Sequence, residues 1–503
     1  MIYCPSSPGV VKEVDATQNG SNDMPLRQRR APRTLRGVSA AGACIALVVA
    51  GCAGTAPSTG PAGTAASGTP SSGPTGSASS STGGQYGFTT VAQDPTAKIT
   101  IWVDADRSAI AEAFEKDHPE CPLSIETYDA SAGGSDTFHT KISLLDQAGS
   151  GWPDVAWSGQ VNDASWAAHE QNGVQAFAAP LDQGVVPQSW LDGYTAGALD
   201  PVTVDGHVYG ARDNLAPVVL WYNKTLLDKF GYTVPTTWEE YQALGDKVAA
   251  EHPGYILGSI GDPFTAVLTD MWAAQAPIYT VDGTTFTTDF SDTHTTRMIA
   301  LLDHMFANKT LTIDGLFTPD WVSKWKGKVL AIPGPTWFTG ALFQNKDNLG
   351  GEPGEWGAGH ALHWDGEPIG TGNVGGGFWY GSSHSANLAC VGTYLQYVTS
   401  GPQSVKLITG LPAYASTASA WLDAQTSSGF WANSDTFKEV VDEAANNIWS
   451  GWGATLPFSS EPPWAEIVNP ALASGKTIAS QVSAWQQRMV DDAQVNGFTV
   501  VTK

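Results

Sequence analysis

The chain is poor in positive charge: 25 Lys and Arg stand against 49 Asp and Glu in 503 residues, a formal net charge of −24. The first 51 residues hold six of the basic and three of the acidic side chains, so the remainder is more negative still. Nucleic acids and anionic lipid surfaces reward the opposite sign, which argues against either as an electrostatic partner. Cysteine is scarce too. Cys4, Cys44, Cys52, Cys121 and Cys390 include no pair at metal-ligand spacing, and the ten histidines form no HExxH-like cluster, so no metal or other cofactor is expected. What is plentiful is tryptophan, 20 residues beside 14 Tyr and 17 Phe, which is more flat apolar surface with a polar edge than a core requires. Most of these rings are expected inside and some facing a ligand. The length predicts two domains once a non-globular N-terminal stretch is set aside.

That stretch is an address. From Met24 the chain reads MPLRQRRAPRTLRG, with Arg27, Arg29, Arg30, Arg33 and Arg36, and is followed by an apolar run over 38–50. A basic head and an apolar run too short to span a bilayer are the marks of a secretory signal peptide, expected over 1–51. Residues 1–23 lack these features, which points to Met24 as the true start. Arg29-Arg30 suggests twin-arginine export, but its flanks do not support it. The run ends in Leu47-Val48-Val49-Ala50-Gly51-Cys52, which resembles the bacterial lipobox. The resemblance implies that Cys52 is lipidated and becomes the first mature residue, anchoring the protein to the outer face of the cytoplasmic membrane. Residues 53–85 are almost entirely Gly, Ala, Ser, Thr and Pro and cannot bury enough surface to fold. With Cys52 they form a tether expected over 52–96.

Strands and helices alternate beyond it. Residues 98–103 read as a strand; Ile110, Ala113 and Phe114 recur at helical spacing until Asp117-His118-Pro119. A second strand fits 123–128, a second helix carries Phe138, Ile142 and Leu145, and a third strand fits 154–157. This rhythm predicts an α/β fold with a parallel sheet flanked by helices, and ligands in such sheets sit beyond the carboxyl ends of the strands. Asp104, Asp106, Arg107 and the run Trp157-Ser158-Gly159-Gln160 fall at that edge, with Asp106 equally suited to capping the first helix.

A family resemblance accumulates along this framework. Gly151-Trp152-Pro153-Asp154-Val155 is similar to the G-x-P-D-V element of the family 1 extracellular solute-binding proteins, the maltose-binding-protein-like receptors of carbohydrate importers. Val208-Tyr209-Gly210, Leu220-Trp221-Tyr222-Asn223-Lys224, Phe230-Gly231-Tyr232 and Pro235-Thr236-Thr237-Trp238-Glu239-Glu240 follow at matching intervals, and Thr236 or Thr237 is placed to cap a helix. Further on, Lys326-Gly327-Lys328-Val329-Leu330 with Trp337, Gly375-Gly376-Gly377-Phe378-Trp379, Gly410-Leu411-Pro412-Ala413 and Pro462-Pro463-Trp464 also resemble family elements. The resemblance covers about 97–490. Trp221 stands where tyrosine is usual, and Ser158 where many sugar binders place an aromatic.

The resemblance implies a two-lobed periplasmic-binding-protein-like fold, each lobe a mostly parallel sheet flanked by helices, with a hinge between them. One lobe would comprise 97–212 with 378–410, the other 213–377 with 411–503, and the crossings near 212–216, 375–378 and 410–413 carry the Gly and Pro that hinges often use. It implies a carbohydrate ligand, an ABC permease as partner, a monomer and no catalysis. Trp157, Trp337, Trp464, Phe378 and Trp272 are the expected walls or stacking faces. Asp104, Asp106, Arg107, Gln160, Asn162, Asp213 and Asn214 are the expected hydroxyl partners, with Gly376 at the crossing between them. A polyol, an amino sugar or another solute in the same fold remains an alternative. A secreted glycoside hydrolase or lyase is a weaker one, since no acid and nucleophile pair stands out. Cys121 and Cys390 would share the first lobe, and export permits a disulfide between them.

Overall fold

The computed structural model describes residues 86–503 apart from 130–136, 161, 172 and 452–455. Met24, the leader, Cys52 and the tether up to residue 85 lie outside the described residues.

The first sheet is built around β1 (Ile99–Val103), which runs parallel to β2 (Leu123–Thr127) on one side and β3 (Val155–Ser158) on the other. Ile99, Ile101 and Val103 alternate into the core, as a period of two requires, and each contributes about 1.5–3 kcal/mol of burial. Helix α1 (Ser108–Asp117) covers them with Ile110, Ala111 and Phe114 and stops at His118, ahead of Pro119. Helix α2 (Thr137–Ala148) lies between β2 and β3 in sequence and buries Phe138 and Ile142. Two strands from further along complete the sheet: Phe378–Gly381 pairs antiparallel with β3, and Ala211–Arg212 pairs antiparallel with Phe378–Gly381. A disulfide joins Cys121, between α1 and β2, to Cys390 in helix Leu388–Ser400, with Cα atoms 5.5 Å apart.

The second sheet centres on Val218–Asn223, buried at all six positions. It runs antiparallel to both Ala331–Pro335 and Trp356–Gly359, and the parallel pairings lie beyond, at Ile256 with Val329 and at Gly258–Ser259 with Leu311–Thr312. This three-stranded sheet is therefore antiparallel, against the mostly parallel sheet expected from the resemblance, and the parallel pairings belong to a separate two-stranded sheet and an isolated bridge. A strand that leaves the crossing at 214–215 has to be opposed by strands that return to it, and Ala331–Pro335 delivers Trp337 back to the crossing. Trp221, in the place where the family usually has tyrosine, is sealed in the core, and its indole N–H donates to the Gly334 carbonyl at 3.0 Å. The helix Trp238–Glu251 is capped by Thr237, whose hydroxyl accepts from the Glu240 N–H, while the Glu240 carboxylate accepts from the Thr236 N–H at 2.8 Å.

The chain crosses between the two sheets at segments that touch one another. Asn214–Leu215 pairs with Leu411–Pro412, and Pro217 bridges to Asn373. Gly375, Gly376 and Gly377 all have left-handed φ angles of +69°, +110° and +61°. A Cβ on Gly376 would lie 2.3 Å from the Asn214 carbonyl oxygen, so only glycine fits there. Beside them the buried Arg212 donates to the carbonyls of Asn214 and Ala198 and to Asn373 Oδ1, all neutral acceptors. Burial lowers its pKa to about 10.

Candidate ligand cleft

The first wall grows from the carboxyl end of β1. Asp104 caps the short turn Ala105–Arg107, its carboxylate accepting from the Arg107 N–H at 3.0 Å. The Arg107 guanidinium donates to Asp104 Oδ2 at 2.7 Å and to Asp213 Oδ2 at 3.0 Å, and lies 3.5 Å over the ring of Trp157. Asp213 also accepts from the Trp379 indole at 3.3 Å. Burial pushes the Asp104 pKa up against the pull of Arg107. Four distant segments thus meet in one carboxylate, guanidinium and indole set. Trp157 is clamped between Arg107 and the crossing, where a Cβ on Gly377 would lie 2.6 Å from its indole nitrogen. That indole N–H is buried and has no acceptor among the described residues. Tyr128 steadies the end of β3 by donating to the Trp157 carbonyl, and the buried Ser158 donates to Asp163. Ser158 therefore serves the turn after β3.

The second wall is aromatic. Trp337 follows strand Ala331–Pro335 and is fixed by its indole N–H, which donates to the Val374 carbonyl in the crossing at 2.9 Å. Its ring stacks on Phe317 at 5.9 Å and 28° and meets Phe264 at 5.8 Å. Phe317 is 43% exposed. Trp337, Phe264 and Glu461 stand at or just before the starts of three π-helical turns, Thr339–Phe343, Phe264–Met271 and Trp464–Val468, a rare geometry that often accompanies functional sites. Behind the shelf, Asp262 accepts from the Leu316 N–H at 2.7 Å, and Glu461 is only 3% exposed with Oε2 unpartnered among the described residues. Burial first, and the Asp262 charge second, push the Glu461 pKa up to about 7; burial also raises that of Asp262. The two walls adjoin one crossing. A Cβ on Gly410 would lie 2.9 Å from Asn214 Nδ2 and 3.0 Å from Trp337 Cβ, and Asn214 follows Asp213 of the first wall.

Of the residues singled out from sequence, Asp104, Arg107, Asp213 and Trp157 come together in the first wall, Trp337 in the second, and Gly376 in the crossing. Gln160 is half-buried after β3, its backbone N–H on Ser158 Oγ at 3.2 Å, and Asn162 is buried at the start of helix Asp163–Ala167. Asn214 is buried in the crossing, its backbone paired with Gly376 and Pro412. Asp106 is exposed and does not cap the turn, a role taken by Asp104 two residues earlier. Four expected stacking faces are corrected: Trp157 is 2% exposed, with the Arg107 guanidinium 3.5 Å over its ring, and the other three are core residues. Trp464 has no exposed surface, donates to the Ile260 carbonyl at 2.9 Å and packs edge-on against Trp485. Trp272 is buried, donating to the Trp449 carbonyl, and Phe378 is buried among Phe138, Ala156 and Tyr380. Each has its ring enclosed by packing, leaving no face for a ligand. Sequence reasoning missed Phe264, Phe317, Asp262 and Glu461. Asp262-Pro263-Phe264 and Glu461-Pro462-Pro463-Trp464 repeat one pattern, an acid, proline and then an aromatic at the start of a π-helical turn, and that repetition was the available signal.

Two α/β bodies joined by several touching crossings, with both walls adjoining that junction, define a two-domain periplasmic-binding-protein-like fold. The chain belongs to the bacterial extracellular solute-binding protein family, whose sequence profile it matches over residues 101–405. It is 29% identical over 181 residues to an uncharacterized ABC transporter extracellular-binding protein of Pyrococcus horikoshii, a match covering 33% of this chain and 40% of that relative. The fold is shared with the ABC transporter associated binding protein of B. animalis subsp. lactis Bl-04, solved with β-1,6-galactobiose, at a TM-score of 0.66, 21% identity and coverage of 80% of this chain and 99% of the other. It is shared equally with the galacto-N-biose/lacto-N-biose I-binding protein of Bifidobacterium longum, solved with lacto-N-biose, at a TM-score of 0.66, 20% identity and coverage of 81% and 100%.

Proposed function

We propose that this protein captures a carbohydrate between the two walls and delivers it, chemically unchanged, to the membrane permease of an ABC importer. The observation that carries this reading is the pairing, at one crossing, of a carboxylate and guanidinium set with an aromatic shelf. Sugars ask for both: planar charged groups bond neighbouring hydroxyls, and flat rings pack against the C–H faces of the ring. The two solved neighbours of the same fold each hold a disaccharide, which supports the same class of ligand here. In this reading 97–212 with 378–410 and 213–377 with 411–503 act as lobes that close on the sugar, and the ligand shifts their equilibrium by its differential affinity for the closed form. Lipidation at Cys52 would hold the receptor at the outer face of the cytoplasmic membrane.

A thermal-shift screen against mono-, di- and oligosaccharides, polyols and amino sugars tests it. A ligand at 100 times its dissociation constant stabilises the native state by about 2.7 kcal/mol, and one sugar class is expected to raise the melting temperature measurably. Chromatography of the recovered sugar is expected to show it intact. Stabilisation by polyols alone, or cleavage of the sugar, would overturn the reading.

A further inference from the structure

Inside the second body, one acid takes no part in the cleft. Asp270 lies in the π-helical turn Phe264–Met271 and is 7% exposed. Among the described residues its carboxyl group accepts no hydrogen bond and pairs with no cation, and burial alone pushes its pKa well above the usual carboxylate range. It lines a cavity of about 10 Å³, room for one body the size of a water molecule, together with Tyr241, Ser259 and Thr265 and against a backing of Leu302, Leu311 and Ile332. The three hydroxyl protons are already committed elsewhere. Tyr241 donates to the Leu257 carbonyl, Ser259 to the carbonyls of Thr312 at 3.1 Å and Asp314 at 2.5 Å, and Thr265 to the Asp262 carbonyl at 2.6 Å. What these hydroxyls have left to offer a neighbour is therefore lone pairs.

We propose that Asp270, Tyr241, Ser259 and Thr265 form a site for one dehydrated monovalent cation of about the size of water, potassium being a physiological ion that fits this description. The side chains supply a carboxylate and three hydroxyl oxygens and no free donor, the set that a hard cation takes. A water molecule has only two protons to give such a set, whereas a cation engages each oxygen and also cancels the buried charge of the carboxylate. One carboxylate balances one positive charge, and a divalent ion would leave a net charge buried. The ion holds the π-helical turn from within. That turn begins at Phe264 of the shelf, and Ile332 of the cavity lies on the strand that delivers Trp337, so the ion steadies the footing of the shelf without touching a ligand. The site stands whatever solute the cleft takes.

Urea unfolding of the full chain in potassium chloride and in tetramethylammonium chloride, at equal ionic strength, tests this. Unfolding opens the cavity, so the ion exchanges freely. Above the dissociation constant, stability is expected to rise by about 1.4 kcal/mol for each tenfold in potassium, the linkage of one ion per chain, and to ignore tetramethylammonium, which is too large to enter. Asp270→Asn keeps the shape and brings its own N–H donors to the oxygens, so it is expected to fold and to lose the potassium response. Tyr241→Phe keeps the ring and removes one oxygen, and it is expected to raise the potassium concentration at half-response several-fold. Stability indifferent to potassium, equal responses to the two salts, or a potassium response unchanged in both variants overturns the site and leaves the cavity to a protonated acid and water.

Discussion

The two walls of the cleft solve the same problem with different materials. The first is ionic and charge-paired: Arg107 holds Asp104, Asp213 and the face of Trp157 at once, so each charge already has its partner, and only the Trp157 indole N–H is left without an acceptor among the described residues. The second is aromatic and under-satisfied. Its rings stack on one another, while Glu461, in the field of Asp262, keeps a carboxyl oxygen without a partner among the described residues. A wall of paired charges is stiff and fixes hydrogen-bond directions, because moving any member strands another. A shelf of rings asks less of direction and accepts a range of pyranose faces. One wall therefore sets orientation and the other supplies contact area.

The sharpest way to break that contrast is to remove its central cation. Arg107→Ala leaves Asp104 and Asp213 buried without compensation and is expected to cost about 3–5 kcal/mol in urea unfolding, together with ligand binding. Arg107→Lys restores the charge without the planar fork and the stack on Trp157, so only part of the loss should return. The second wall is tested through pH. The folded-state pKa of Glu461 lies near 7, above its ordinary 4.5, so the native state holds the extra proton between those values. Its contribution is fully present below about pH 4.5 and is lost as the pH rises through about 7, by up to about 3 kcal/mol. Glu461→Gln is expected to flatten this slope in chemical unfolding measured across that window; an unchanged slope assigns it to other groups. The smallest effect is expected from Trp337→Ala, which removes the middle ring of the shelf. Sugar affinity should fall about tenfold by calorimetry, with the pH slope of stability unchanged.

Regular spacing made the framework legible. The alternation in β1, the helical recurrence of Ile110 and Phe114 and the strand ending at Trp157 are local patterns, and they put Asp104, Arg107 and Trp157 at the ligand edge without any knowledge of the second sheet. Trp337 came from a family-like block, and Asp213 from its placement at a crossing. What could not be read was the facing of isolated aromatics. Trp464, Trp272 and Phe378 occupy plausible positions, but an indole N–H satisfied by a core carbonyl, as at Ile260 or Trp449, leaves no trace in a sequence. The π-helical turns hid the rest: they depart from the 3.6-residue period, so Phe264 and Glu461 match neither a helix face nor a strand. The antiparallel pairing of the second sheet was equally hidden, because strand direction depends on where the chain re-enters the crossing.

The order of strands in the first sheet bears on how the chain is made. Phe378–Gly381 sits between β3 and Ala211–Arg212. A polypeptide emerging from its amino end has therefore released β1, β2 and β3 long before the strand that closes them exists. Until residue 381 arrives, β3 carries an open edge of unpaired amides, the kind of surface that recruits neighbouring chains. The second body must emerge in the meantime. The first sheet is therefore complete only once residues 378–381 are in place, and the two walls assemble together.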